Sequence, residues 1–407
     1  MTLTETQPPF LPYGRHQVDD DDVAAVTEVL LSGWLTTGPK VEEFERAFAD
    51  RVGAQFAVSC SSGTAGLHLA SLAAGLGEGD RVVVPALTFL ATANAPRIAG
   101  AEIIFADVDP ETALMGPAQI EDAMQRAGKT AKAVFPVHYA GQCIAPDVVF
   151  ALARNRGLTV IEDACHALGT DYDADGETNI PVGACRHSHM TVFSSHPVKA
   201  IAMGEGGIVT TNDPELHGRL VRFRNHGMVK TPEEFQNTDL AFGADGTPNP
   251  WYYEMAAPGL NYRASDINCA LGLSQLGKLD RFIESRRALA ARYDQQIAAL
   301  APHVRPLGRA PSCRSAFHLY PVLMDFEQIG IERAQVMERL ANASIGTQVH
   351  YLPVHLQPYY AQRTGGLSLP GAEAYYRDTL SLPLFPGMSE GDVDRVLGAL
   401  KSAIGSP

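Results

Sequence analysis

The sequence has little of several features that mark particular classes of protein. Its 407 residues include only six cysteines and two tryptophans, and the cysteines are widely scattered. The first ten residues contain no basic region followed by an apolar one, so they do not resemble a secretory signal. Together these observations predict a cytoplasmic protein with reduced thiols and no disulfide framework.

Basic charge and long apolar runs are also scarce. The chain has 32 Lys and Arg residues against 46 Asp and Glu residues, a net charge of −14, which disfavours nucleic acid and anionic membrane surfaces as partners. Its most apolar stretch, residues 82–108, is interrupted by prolines and charged residues. A membrane helix needs about 20 consecutive apolar residues. We therefore predict that neither nucleic acid nor a membrane is a partner.

The usual nucleotide-binding signatures are absent as well. No GxGxxG motif follows the first predicted strand, and no glycine-rich loop ends in Gly-Lys-Ser or Gly-Lys-Thr. This disfavours NAD-dependent and P-loop enzymes. Hydrophobic residues nevertheless make up 45% of the chain and charged residues 19%, which is typical of an ordinary globular protein.

The pattern along the chain predicts an α/β fold. Between about residues 55 and 225, short β-rich runs alternate with helix-compatible segments, which indicates a mainly parallel sheet flanked by helices. The predicted strands are 55–59, 81–85, 102–106, 133–137, 158–162, 190–193 and 208–211. The predicted helices between them are 65–74, 88–98, 117–127, 146–154 and 214–224.

The pattern changes towards the C-terminus. Residues 226–258 are too long for a simple connection and are rich in Gly, Pro, Asn and aromatic residues. After them we predict a long amphipathic helix over 274–300, a strand over 317–324, a helix over 332–343, a strand over 347–351 and a final helix over 390–404. The predicted division is a large α/β domain over residues 1–274 and a smaller C-terminal α+β domain over 275–407.

Three loops at the carboxyl ends of predicted strands carry the chemistry, because open α/β sheets bind ligands there. Residues 61–65, with the sequence Ser-Ser-Gly-Thr-Ala, suit either a phosphate site or a plain helix N-cap. Residues 161–166 run from an apolar strand into Glu162, Asp163 and His166, which suits either a cation or a capped helix start. Lys199 lies in an apolar run, where partial desolvation would make its amine nucleophilic.

Together the loops hold what a pyridoxal phosphate (PLP) enzyme requires: a Schiff-base lysine, an acid for the pyridine nitrogen and a phosphate cup. At this point four segments resemble, in order, the motifs of the sugar-nucleotide aminotransferases of the DegT/DnrJ/EryC/StrS type. They are residues 62–65, 162–164, 193–207 and 259–263. The resemblance implies the PLP-dependent transferase fold of type I, with a mainly parallel seven-stranded sheet.

The resemblance also implies roles for individual residues. Lys199 would form the Schiff base and Asp163 would pair with the pyridine nitrogen. Ser194, Gly63 and Thr64 would hold the phosphate, and His166 and Phe89 would pack on the ring. Asn261 would reach the cofactor of a partner subunit, which implies a homodimer with active sites at the subunit interface.

Two further stretches narrow the resemblance: residues 251–255 leading into 270–276, and residues 349–360. They are similar to the branch that forms UDP-4-amino-4,6-dideoxy-N-acetyl-β-L-altrosamine in pseudaminic acid biosynthesis. That branch transaminates a UDP-linked 4-keto-6-deoxy-N-acetylhexosamine with L-glutamate as the expected amino donor. It suggests these sugar-nucleotide contacts: Tyr13, Gly33, Trp34, Leu35, Thr36, His350, Tyr351, Leu352 and Pro353. The same residues could instead be core aromatics and strand residues.

Three alternatives stay open on sequence grounds. The chain could transaminate another UDP- or dTDP-linked keto sugar, at C4 or at C3 of the ring. It could also be a regulator that binds PLP or a sugar nucleotide without catalysis, because fold alone does not determine function. Cys185, His187 and His189 could bind zinc from alternate positions of a strand, but no fourth ligand is nearby and the spacing matches no standard module. We therefore predict no metal.

Overall fold

A mainly parallel seven-stranded sheet forms the centre of the computed structural model, which describes residues 9–128 and 131–405. The strands of the chain are β1 (Phe56–Cys60), β2 (Arg81–Pro85), β3 (Glu102–Ala106), β4 (Ala133–Val134), β5 (Thr159–Asp163), β6 (Asp171–Ala174), β7 (Glu177–Pro181), β8 (Met190–Ser194), β9 (Gly207–Thr211), β10 (Met228–Val229), β11 (Glu254–Met255), β12 (Val304–Pro306), β13 (Cys313–Arg314), β14 (Tyr320–Met324) and β15 (Thr379–Leu382). The central sheet has the order β1-β9-β8-β5-β4-β2-β3. Only β9 runs antiparallel to its neighbours. This confirms the predicted α/β fold.

Helices cover both faces of this sheet, so its strands are short apolar runs. In β2, for example, Val82, Val83 and Val84 are fully buried. The helices are α1 (Asp20–Ser32), α2 (Pro39–Val52), α3 (Gly63–Ala73), α4 (Leu90–Ile98), α5 (Pro117–Ala127), α6 (Pro146–Asn155), α7 (Pro214–Arg224), α8 (Thr238–Ala241), α9 (Asp266–Leu276), α10 (Leu279–Ile297), α11 (Phe326–Ile329), α12 (Arg333–Asn342), α13 (Pro358–Thr364), α14 (Pro370–Asp378) and α15 (Glu390–Ile404). None of them, in the part of the chain described, is long and apolar enough to cross a membrane.

A second, antiparallel sheet of order β12-β14-β15 lies in the C-terminal part of the chain. Its strands share an apolar cluster with α10, α12 and α15, which includes the buried residues Tyr293, Val322, Leu340 and Val396. The small sheets β10-β11 and β13-β6-β7 complete the strands. The division into domains over residues 1–274 and 275–407 stays a prediction. The outermost residues of these two domains, 1–8 and 406–407, lie outside the described part.

Two elements of the C-terminal part differ from the prediction. The helix predicted over 274–300 is broken: α9 ends at Leu276 and α10 begins at Leu279. The helical spacing of apolar residues continues across the break, so this spacing alone does not reveal it. The sequence signal for the break is Gly277, which follows α9 and has low helix propensity. The strand predicted over 347–351 is also wrong. That segment makes only one bridge, from Gln348 to Ser381, and β15 takes the place beside β14.

Candidate active site

A cavity of about 570 Å³ opens at the carboxyl ends of the parallel strands. The strands β1, β2, β5 and β8 all point to this edge, so the loops that follow them meet there. Ten of the residues predicted from the sequence line the cavity: Tyr13, Gly63, Thr64, Phe89, Asp163, His166, Ser194, Lys199, His350 and Tyr351. Segments far apart in the sequence therefore form one site.

The phosphate loop lies where α3 begins. The Ser62 hydroxyl accepts a hydrogen bond from the Ala65 N–H at 3.1 Å and caps the helix. A Cβ atom on Gly63 would lie only 2.8 Å from the Ser194 Cβ, so glycine is needed for the close approach of Ser194 to the helix start. A helix N-terminus next to hydroxyl groups suits a phosphate. The N-cap, one of the two alternatives on sequence grounds, is therefore present, and the phosphate site at the same loop stays a prediction.

Asp163 ends β5 with its carboxylate at the wall of the cavity. It is 5% exposed, and Oδ2 accepts a hydrogen bond from the Thr92 hydroxyl at 2.6 Å. The Thr92 hydroxyl in turn lies 2.7 Å from that of Thr88. The Cys165 N–H donates to Asp163 Oδ1 at 3.1 Å. Both oxygens of the carboxylate therefore have a hydrogen-bond donor, and these bonds hold the side chain at the wall, where a carboxylate suits a ring nitrogen.

Lys199 brings an amine into the same cavity. Burial lowers the pKa of Lys199, against the opposing attraction of Cys165 and Asp163. Among the ion pairs of the described residues, none involves Lys199 within 4.0 Å. A lysine in such surroundings has a larger fraction of nucleophilic free amine than a surface lysine.

Three imidazoles form one wall of the cavity: His166, His318 and His350. Burial, together with the positive charge of Lys199, lowers the pKa of each of them, and that of His350 falls to about 3. All three are therefore neutral near pH 7. The His166 Nε2 lies 3.2 Å from the Tyr351 hydroxyl, and the Tyr351 ring is 5.9 Å from that of Phe89. The wall is thus uncharged and aromatic.

Several predicted contacts do not line the cavity. Gly33, Trp34, Leu35 and Thr36 form an exposed turn after α1, in which the Trp34 side chain is 58% exposed. Asn261 is exposed too, and its backbone bridges to Asn225. Leu352 is 38% exposed and Pro353 is buried, and neither contributes to the cavity wall. The chain by itself brings together only part of the predicted set.

Sequence reasoning missed Thr92 and His318. Thr88 and Thr92 are four residues apart just after a predicted strand, a spacing that could have indicated a pair of hydroxyls on one side of a helix start. His318 lies two residues before β14, in a run that reads as an ordinary strand, and no local signal distinguishes it.

The possible zinc ligands each have other partners. The Cys185 Sγ contacts the Thr210 carbonyl at 3.3 Å, His187 pairs with Asp175 at 2.9 Å, and His189 accepts the Val160 N–H at 3.0 Å. Across residues 9–128 and 131–405, no group of three or more His, Cys, Asp and Glu side chains is arranged to hold a metal ion.

The cavity fits PLP on its own chemistry. One end offers a helix start and the Ser194 hydroxyl for a phosphate, and the wall offers the Asp163 carboxylate for a ring nitrogen. The unpaired Lys199 amine shares the cavity with aromatic side chains that suit a flat ring, among them Phe89 and Tyr351. Amine, acid and anion cradle are the three groups that such a cofactor requires.

Comparisons with known proteins agree with this reading. The sequence pattern of the DegT/DnrJ/EryC1/StrS aminotransferase family matches residues 16–401. SpsC of Bacillus subtilis (strain 168), a spore coat polysaccharide biosynthesis protein, is 40% identical over 402 residues, which are 97% of this chain and 97% of SpsC.

Solved structures show the same relationship. PseC of Helicobacter pylori, an aminotransferase involved in the biosynthesis of pseudoaminic acid, superposes with a TM-score of 0.86 at 29% identity, over 98% of this chain and 100% of PseC. Spr1654 of Streptococcus pneumoniae, in its PLP form, gives a TM-score of 0.82 at 26% identity, over 97% and 98% of the two chains. The chain is therefore a PLP-dependent member of the DegT/DnrJ/EryC1/StrS aminotransferase family.

Proposed function

We propose that this enzyme transfers the amino group of L-glutamate to C4 of a UDP-linked 4-keto-6-deoxy-N-acetylhexosamine, as in pseudaminic acid biosynthesis. The observation that carries the reaction type is the unpaired Lys199 amine, which shares one cavity with Asp163 and the Gly63–Ser194 cradle. The substrate is supported by the likeness to PseC and by the sequence of residues 349–360.

Each residue of the cavity would have its own role in the reaction. Bound PLP supplies an electron sink that stabilises negative charge at the carbon being deprotonated. Asp163, held by the Thr92 hydroxyl, would pair with the ring nitrogen. Gly63, Thr64 and Ser194 would hold the phosphate. The Lys199 Nζ would move a proton to and from the reacting carbon in each half of the reaction, because burial lowers its pKa and so increases the fraction of free amine that can accept a proton.

The substrate site needs a second copy of the chain. Tyr13, His350 and Tyr351 line the cavity, whereas the turn from Gly33 to Thr36 and Asn261 lie exposed elsewhere on the surface. A homodimer with active sites at its interface would explain that exposure, because Asn261 would then reach the phosphate in the partner's cavity. Exposed apolar side chains such as Trp34 (58%) and Trp251 (73%) suit such an interface. Location in the cytoplasm stays a prediction.

A second candidate is transamination of a different keto sugar. SpsC is 40% identical to this chain, more than the 29% of PseC, and is described only by its part in spore coat polysaccharide biosynthesis. The same amine, acid and cradle would serve a dTDP-linked sugar or a 3-keto sugar, because the distinguishing contacts lie at the sugar and the base.

The experiment tests the reaction type first and the identity of the sugar substrate second. Purified protein loaded with PLP is mixed with L-glutamate alone, and we expect one 2-oxoglutarate per active site from wild type and none from Lys199→Ala. The aminated enzyme is then offered UDP- and dTDP-linked 4-keto and 3-keto sugars. Fastest turnover with the UDP-4-keto-6-deoxy-N-acetylhexosamine supports the proposal, and preference for another sugar selects the second candidate. Retention of PLP with no amine transfer from any amino acid would indicate a regulator instead.

A further inference from the structure

A buried cation lies behind the imidazole wall of the active site. Arg286, on α10, is 2% exposed, and burial lowers the pKa of its guanidinium to about 10. The ion pairs of the described residues do not include it, although buried charges in proteins are usually paired. Such an arrangement is costly unless other groups compensate the charge.

Backbone carbonyl groups compensate it. One terminal nitrogen of Arg286 donates to the carbonyl oxygens of Phe317 at 3.2 Å, His318 at 3.2 Å and Leu384 at 2.9 Å. Phe317 and His318 lead into β14, and Leu384 follows β15, which pairs with β14. One guanidinium therefore joins the segment that enters one strand to the segment that leaves its neighbour.

His318 connects this backbone contact to the cavity, because its carbonyl accepts from Arg286 and its side chain lines the cavity wall. Its ring lies 4.3 Å from the ring of His166, and both side chains line the cavity with Lys199. Each of the two histidines is 8% exposed, and the Nδ1 of each has no hydrogen-bond partner among the described residues. The place of the His318 ring is thus set by packing and by its own backbone, which Arg286 holds.

We propose that Arg286 is a positioning residue for amine transfer, which acts through His318 to fix the ring of His166 beside the cofactor. This inference rests on the proposed function, because it assumes that His166 contacts PLP. Arg286 itself touches neither the cavity nor the reacting atoms. Its effect would come from the geometry of the wall, where a misplacement of about 1 Å can cost about 100-fold in rate.

The next residue provides a matched control. Arg287 donates to the carbonyl oxygens of Ser315 at 2.9 Å and Arg314 at 3.1 Å, so it holds the same chain segment two to three residues earlier. Neither Ser315 nor Arg314 lines the cavity. Loss of either arginine removes bonds to the backbone of this segment, but only Arg286 binds the backbone of a residue that lines the cavity, His318.

The experiment compares Arg286→Leu, Arg286→Lys and Arg287→Leu in the full-length protein. The readouts are the dissociation constant of PLP from equilibrium dialysis, the visible circular dichroism of bound PLP, kcat and KM with L-glutamate, and the Tm of the apoprotein. We expect Arg286→Leu to lower kcat about 100-fold, to weaken PLP binding and to change the dichroism. Arg286→Lys should recover most of the loss, because it keeps the charge and three donors. Arg287→Leu should lower Tm alone.

A double-mutant cycle tests the route through His318. In a His318→Ala background, Arg286→Leu should cause no further loss of kcat or PLP affinity. The proposal is overturned if Arg286→Leu lowers Tm while kcat, PLP affinity and dichroism stay at wild-type values, or if its effect on kcat is unchanged in the His318→Ala background. Should Arg286→Leu not fold, Arg286→Gln, which removes the charge and keeps two N–H donors, takes its place in the cycle. A wild type that forms no 2-oxoglutarate would instead contradict the proposed function.

Discussion

At the scale of single residues, the position of the Asp163 carboxylate depends on a hydrogen bond from Thr92. The distance from the Thr92 hydroxyl to Asp163 Oδ2 is 2.6 Å, and Asp163 is only 5% exposed. A hydrogen bond to a charged group contributes about 1.5–3 kcal/mol, which corresponds to about 10- to 100-fold in rate if the bond acts in the transition state.

We expect Thr92→Val to slow 2-oxoglutarate formation from L-glutamate by about 10- to 100-fold, since it removes the donor and keeps the shape. Asp163→Asn should cost more, because it removes the charge itself. Thr112→Val is the control, since the buried Thr112 hydroxyl has no hydrogen-bond partner among the described residues and Thr112 does not line the cavity. A Thr92→Val enzyme as fast as the Thr112→Val enzyme would show that the bond to Asp163 has no part in the reaction.

The Lys199 amine carries a cost for the apoprotein. Burial lowers its pKa in the fold below the ordinary value of 10.5, so the unfolded chain binds more protons between the two values. Stability rises with pH wherever the unfolded state binds more protons. The penalty from Lys199 is therefore complete below its folded pKa and disappears as the pH approaches 10.5.

We therefore expect apo Lys199→Met to be more stable than apo wild type at neutral pH, with the difference shrinking as the pH is raised. Urea unfolding of both proteins at a series of pH values measures it. The exposed Lys230 offers the matched substitution Lys230→Met, for which the difference should not vary in this way. A Lys199→Met advantage that grows with pH would contradict the assignment of a desolvated amine.

At the scale of elements, the start of α3 determines the phosphate cradle. A Cβ atom on Gly63 would meet Ser194 at 2.8 Å, whereas one on Gly218, within α7, would meet nothing within 4 Å. Gly63→Ala should therefore push Ser194 away from the helix start and weaken PLP binding by about 10-fold or more, the cost of about one lost charge-assisted hydrogen bond.

Equilibrium dialysis of the apoprotein with PLP measures this change. Gly218→Ala is the control, which should leave PLP affinity unchanged and raise stability by up to about 1 kcal/mol, because alanine is the better helix former. If Gly63→Ala kept the wild-type affinity for PLP, the loop at Gly63 would not be part of the cofactor site.

Elements with strong local signals could be predicted from the sequence, and those fixed by distant contacts could not. The strands Arg81–Pro85 and Glu102–Ala106 and the helix Pro117–Ala127 have the predicted bounds, because apolar runs, helical spacing and a proline at the helix start determine them locally. The strand expected over 347–351 failed because β14 pairs with β15 instead, a choice made by chain topology. Likewise a strand end predicts Asp163 and an apolar run after a strand predicts Lys199, and both line the cavity, while His318 enters it only through tertiary packing.

At the scale of the whole molecule, the cavity of one chain does not include all the predicted contacts. Asn261 is exposed and absent from the wall of its own cavity. If it contacts the PLP phosphate of a partner subunit, each active site takes Lys199 from one chain and Asn261 from the other. In a symmetric dimer the two sites are then equivalent.

Complementation between two inactive variants tests this division. Lys199→Ala removes the amine, and Asn261→Asp places a negative charge where a phosphate would bind, so each homodimer should be inactive. Their mixed dimer contains one site with an intact Lys199 from one chain and an intact Asn261 from the other. Random pairing of equal amounts, by coexpression, should therefore restore about a quarter of the wild-type activity, because half of the dimers are mixed and each has one complete site. If Asn261 served its own chain instead, every site in the mixed dimer would lack one of the two groups, and no activity would return.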